Sequence, residues 1–209
     1  MGKRRARALC LAVAFCASGA ALGQARADDV ELTARVEALL AAGVEPGAAH
    51  ATVAALGAEG ARALERVFEH QAAPRYVRLR ALSVLASFES SEVARYFEAL
   101  IEAAQTPTAS LDELHPARSS LVLRRALEAL RPLAGLLDRE PALEAVTRCL
   151  TNRDPHVRRA AAELLATLAP SSTIDRALGV QLASEPSRMV HSSLERALTS
   201  RSARSQAPR

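Results

Sequence analysis

The sequence has 209 residues, of which 49% are hydrophobic and 24% charged but only 3% aromatic. That length suffices for one well-buried domain, and no stretch shows the alternation of a half-buried strand. The formal net charge of +4 does not imply nucleic-acid binding, because it belongs to the ends of the chain and not to a basic face.

Residues 1–27 have the plan of a secretory signal peptide. Lys3, Arg4, Arg5 and Arg7 form a positive start, and an apolar run follows from Ala8 to Leu22. Ala25 and Ala27 then place small residues at the −3 and −1 positions before Asp28. The run is short for a membrane span. Cleavage after Ala27 gives a periplasmic or secreted product, and an uncleaved signal gives an inner-membrane anchor. Arg4-Arg5 is a poor twin-arginine signal because Ala6-Arg7 follows, and bulky Phe15 disfavours Cys16 as a lipidation site. Loss of the segment leaves 22 basic against 23 acidic side chains, and residues 28–200 hold 19 against 23. Cys149 then stands alone, so no intramolecular disulfide is open to it. It reads as a small buried hydrophobe beside Leu150; the alternative is an exposed thiol that pairs with another chain.

The rest of the chain reads as helices. Asp29 to Ala42 is the first and an Ala-rich stretch to Leu56 the second, with Gly43 and Glu45-Pro46-Gly47 between them. Glu59 to His70 and Arg75 to Phe88 make the next pair. Ser90-Ser91 caps a helix carrying Val93, Tyr96, Phe97, Leu100 and Ile101. The connection from Gln105 to Pro116 interrupts the rhythm, with capping-box spacing at Ser110-Leu-Asp-Glu113. A helix follows from Ala117 to Arg131, where Pro132 stops it. Two pairs remain: Pro141–Thr151 with Pro155–Leu168, and Ser172–Ala183 with Pro186–Ser200. Residues 201–209 have no apolar content to bury and are expected to be disordered.

The second helices share a register. Asp154 is an N-cap and Pro155 sits at N1. From Val157, apolar residues fall at offsets 0, 3, 4, 7, 8 and 11, one stripe of a 3.6-residue helix. Val77, Val122 and Val190 anchor the same register, and successive anchors lie 45, 35 and 33 residues apart. Offset 4 holds Ala81, Ala126, Ala161 and Leu194; offset 8 holds Leu85, Leu130, Leu165 and Leu198. Offset 11 holds Phe88, Leu133 and Leu168, but Arg201 in the last copy. A unit of this length with two helical stretches marks an α-solenoid.

Asp154, Pro155, Val157, Arg158, Ala160, Ala161, Leu164 and Leu165 resemble the second helix of HEAT repeats, and Pro74, Val77, Arg78, Ala81 and Leu82 echo it. The resemblance covers roughly residues 59–200. It implies an all-α, right-handed α-solenoid of about five antiparallel helix pairs over residues 28–200, with the second helices lining the concave surface. It implies no chemistry, since a function is argued from a site.

The five histidines lie on five different segments. His-Glu-x-x-His, Cys-x-x-Cys, a Gly-rich phosphate loop and Gly-x-Ser-x-Gly are all missing, so no catalytic, metal or cofactor residue is read. His156 and His191 each follow or precede an anchor valine and are expected to be solvated rather than a metal pair. Arg78 and Arg80, Arg124 and Arg125, and Arg158 and Arg159 recur on the second helices. One reading makes them internal salt bridges to residues such as Asp154, Glu128 or Glu163. The other makes them a cationic strip for an acidic segment of a protein partner, gripped bidentately by guanidinium groups. The expected function is therefore an exported, non-catalytic interaction module with no nucleic-acid partner. HEAT-like folds also include DNA-base-removing enzymes and bilin lyases. The lack of Trp, the signal and the acidic core oppose the first, and nothing marks the second. A self-associating structural module is the third class.

Overall fold

The computed structural model describes residues 28–42, 46–106, 109, 111–136 and 140–206. The signal-peptide reading of residues 1–27 lies outside them, as do Ser110 of the expected capping box and the last three residues. The described residues form ten α-helices and no strand. These are α1 (residues 28–41), α2 (Pro46–Ala54), α3 (Gly57–Glu69), α4 (Arg75–Leu85), α5 (Ser91–Ala103) and α6 (Ser120–Leu130). After them come α7 (Glu140–Arg148), α8 (Pro155–Thr167), α9 (Ser172–Ser184) and α10 (Arg188–Gln206). None of the described helices is long and apolar enough to cross a membrane.

The helix starts follow from local chemistry. Ser90 Oγ accepts from Val93 N at 3.2 Å and Ser119 Oγ from Val122 N at 3.3 Å. Asp154 Oδ1 accepts from His156 N at 2.8 Å with Pro155 at N1. Each bond satisfies a donor that the first turn leaves free. Between α2 and α3, Gly57 takes φ +56°, a conformation that only glycine adopts freely. A Cβ on Gly60 would lie 2.4 Å from the Val53 carbonyl oxygen, so the close approach of α2 to α3 depends on its absence.

Helices pack in pairs, α3 on α4, α5 on α6, α7 on α8 and α9 on α10. Across the pairs, α4 packs on α6, α6 on α8 and α8 on α10. The anchor valines Val77, Val122, Val157 and Val190 are all fully buried, and so are Ala81, Ala126 and Ala161 at offset 4. One contiguous core runs from Val36 of α1 to Ala197 of α10. The alanines are small enough to let neighbouring helices approach closely.

Two expectations are corrected. The capping box does not start a helix: residues 111–115 are not helical, and a 3-10 turn at Pro116–Arg118 precedes α6 instead. The disordered basic tail from 201 is also displaced, because α10 continues through Gln206. Arg201 is the cause. Its side chain is buried and donates to the carbonyls of Leu165 (2.9 Å), Leu168 (3.0 Å), Ala169 (3.1 Å) and Ser171 (3.4 Å) and to Asp175. Polar satisfaction of the α8 C-terminus does here what apolar burial does at offset 11 elsewhere.

Candidate functional site

The six arginines of the sequence reading separate into braces and surface groups. Arg78, one residue past its anchor, is buried. Its Nη1 and Nη2 donate to Asp112 Oδ1 and Oδ2 at 2.9 and 2.8 Å, and its Nε to the Phe68 carbonyl. Arg158 holds the equivalent position and donates to Glu185 Oε1 and Oε2 at 2.6 and 2.8 Å. Its Nη1 also reaches the Asn152 carbonyl at 2.8 Å. Each carboxylate in turn accepts from the backbone two residues on, Leu114 N for Asp112 and Ser187 N for Glu185. Arg78 therefore ties the last turn of α3, and Arg158 the loop before its own helix, to the loop before the next second helix. At the intervening junction the arginine position is Leu123, and Asn152 makes the same two-residue turn by accepting from Asp154 N.

Arg80 is half-buried and caps α1 through the Leu40 carbonyl at 2.8 Å. The expected strip of six is thus shortened. Arg78 and Arg158 point inward and cannot present guanidinium groups to a partner, because burial and bidentate pairing have already committed them. The internal salt bridges were legible in kind, but their carboxylates, Asp112 and Glu185, lie 34 and 27 residues away from the arginines.

Arg124, Arg125 and Arg159 remain on the outer face of α6 and α8. Arg131 of the α6 C-cap and Arg196 and Arg204 of α10 join them. Two carboxylates lie among these six cations. Glu163 contacts Arg131 (3.0 Å) and Arg159 (2.7 Å), and Glu128 contacts Arg124 and Arg125, both at 3.6 Å. Arg124 Nε is buried with no hydrogen-bond partner. Arg131, Arg159, Arg196 and Arg204 line a groove of about 590 Å³ between α8 and α10, and a smaller one lies between α6 and α8 beside His156. Arg131, Arg196 and Arg204 were missed because the sequence was read beside the anchors only. Arg131 and Arg196 sit at offsets 9 and 6, which continue the offset-2 row of Arg124 and Arg159 at helical spacing, whereas Arg204, at offset 14, lies off that row and reaches the groove from the end of α10.

His191 lies 3.6 Å from Glu195, and no cluster of metal-ligating side chains forms among the described residues. Cys149 is buried, and burial pushes its thiol up to about 12.

No family model matches the chain, and no curated protein matches it. Among solved structures, the crystal structure of an engineered protein is similar, at 19% identity over 80% of this chain and 79% of that one, with a TM-score of 0.42.

Proposed function

We propose that this chain is an exported, non-catalytic protein-interaction module, built as a HEAT-like α-solenoid, that takes an acidic segment of a protein partner along α6, α8 and α10. The observation that carries the reading is the excess of six guanidinium groups over two carboxylates on one uncovered face. Single exposed ion pairs contribute little. A row of arginines over adjoining grooves differs, because each can grip a carboxylate bidentately while its planar group stays weakly hydrated. A partner with carboxylates at matching intervals engages Arg131, Arg159 and Arg196 together, and its approach is steered by the net positive field.

The test is binding of a fluorescent glutamate-rich peptide, followed by anisotropy, to the wild type and to an Arg131→Gln/Arg159→Gln/Arg196→Gln variant. A loss of tenfold or more in the variant, with binding that falls as salt rises, supports the reading. Equal binding by both proteins overturns it. Arg78 and Arg158 are unsuitable for this purpose because their loss tests stability rather than recognition.

A further inference from the structure

We propose that the acidic partner of this cationic face is a second copy of the same chain, so that copies associate head to tail; this rests on the interaction reading above.

The charge of the chain is divided between its halves. Residues 28–113 carry 7 arginines against 14 carboxylates, and residues 114–209 carry 15 against 9. No lysine occurs after Lys3, so every cation involved is a guanidinium. The acidic surplus collects on α1, α3 and α5. Glu65 and Glu69 of α3 lie near Glu92 of α5. Glu69 Oε1 accepts from Tyr96 Oη at 3.3 Å, and Glu37 of α1 contacts His70 at 2.9 Å. Arg62 and Arg66 are the cations beside them, and Arg66 is already engaged by Asp29 and Thr33. Burial, followed by the negative charges of Glu69 and Glu92, raises the Glu65 carboxyl above its ordinary range. Like charges are crowded there without enough cations to relieve them.

The fold keeps these two surfaces apart. The acidic groups sit on α1, α3 and α5, whereas the cationic row sits on α6, α8 and α10. α5 packs on α6, yet Glu92 at its start lies beside Glu65 and Glu69 of α3, and none of these three is paired with an arginine of α6, α8 or α10. One copy cannot neutralise itself, but two copies can do so with one acidic surface against one cationic surface. Beside the acidic groups, an open groove of about 620 Å³ between α1 and α3 exposes Val30 and Ala34, which gives the contact apolar surface as well as charge. Such a contact is heterologous, since one copy keeps its cationic surface unused and the other its acidic surface, and it extends unless the rotation happens to close a ring.

The test is sedimentation of the chain from residue 28 onward at about 100 µM. It compares salt of about 20 mM with about 500 mM, where exposed charges are screened. The wild type is expected to show species of at least twice the monomer mass at low salt and monomer at high salt. A Glu69→Lys/Glu92→Lys variant and an Arg159→Glu/Arg196→Glu variant are each expected to be monomeric alone. Mixed, they should associate again, because each surface of one variant then meets a surface of opposite sign on the other. Unchanged circular-dichroism melts show that both are folded, and Gln replacements serve where a reversal is not tolerated. A wild type that stays monomeric at low salt overturns the inference, as does association that both variants retain. If the glutamate-rich peptide still binds that monomer, the interaction reading survives and only the self-association fails. If the peptide does not bind, the cationic face itself has been misread.

Discussion

Arg158 and Glu185 form a bidentate pair, at 2.6 and 2.8 Å, in which the glutamate side chain is wholly enclosed. The pair joins α8 to the loop before α10. Gln181 and the backbone N–H of Ser187 complete the carboxylate's shell. Replacing Glu185 by Gln leaves a buried guanidinium with its charge uncompensated. A loss of about 3 kcal/mol or more in unfolding free energy is expected from urea denaturation. Replacing both partners by apolar residues of similar size should restore part of that loss.

The same pair sets an acid limit. The Arg158 bond, with Gln181 and Ser187, holds the Glu185 carboxyl down to about 2 from its ordinary 4.5, against the burial that pushes it up. Arg78 lowers the Asp112 carboxyl in the same direction. A folded value below the unfolded one gives stability that is complete above about pH 4.5 and is lost as the pH falls toward 2. Urea midpoints measured between pH 5 and 2 should therefore decline in the wild type. The decline should be shallower in Glu185→Gln, which has no carboxyl to titrate there. Parallel declines would contradict the assignment.

Arg201 stands where the register has apolar residues, so Arg201→Leu restores the pattern while removing five hydrogen bonds. The structure favours the bonds: the freed carbonyls at the α8 C-terminus lose their donors, and an unsatisfied buried acceptor costs about 1–3 kcal/mol. The thermal midpoint should fall in Arg201→Leu and in a chain ended after Ser200. A disordered tail predicts no change in either.

Leu165 is fully buried at offset 8. A carboxylate there enters the apolar core, so Leu165→Asp should abolish the cooperative helical melt seen by circular dichroism. Arg159→Gln, a few residues away on the exposed face, should leave that melt nearly unchanged.

Cys149 should be inert in the folded chain. Burial raises its thiol to about 12, and Gln105 and Arg148 offset this only in part. Thiol labelling at pH 8 should be slow in native protein and rapid in denaturant. Fast labelling of the native protein would place the sulfur at the surface.

The helices were legible because their cause is local. Val157, Ala161, Leu164 and Leu165 recur at helical spacing, Ser90 caps, and Pro155 opens α8, all within a turn or two of the chain. The connection between α5 and α6 was not legible in this way. Its capping-box spacing is a local signal, yet Asp112 is committed to Arg78 and Leu114 to the core. A long-range pair outweighed the short-range motif.

The same division holds for the arginines. The sequence by itself determined that they recur beside the anchor valines and that no catalytic motif accompanies them. Only the tertiary structure decided which are braces and which face solvent. Arg78 and Arg158 turn inward because a carboxylate arrives from a loop 34 or 27 residues further on, a distance across which helical periodicity carries no information. Arg124 and Arg159 meet their acids on their own helices, at Glu128 and Glu163, and stay at the surface. Arg131, Arg196 and Arg204 become their neighbours only when α6, α8 and α10 lie side by side, since it is the packing of separate helices that assembles a face.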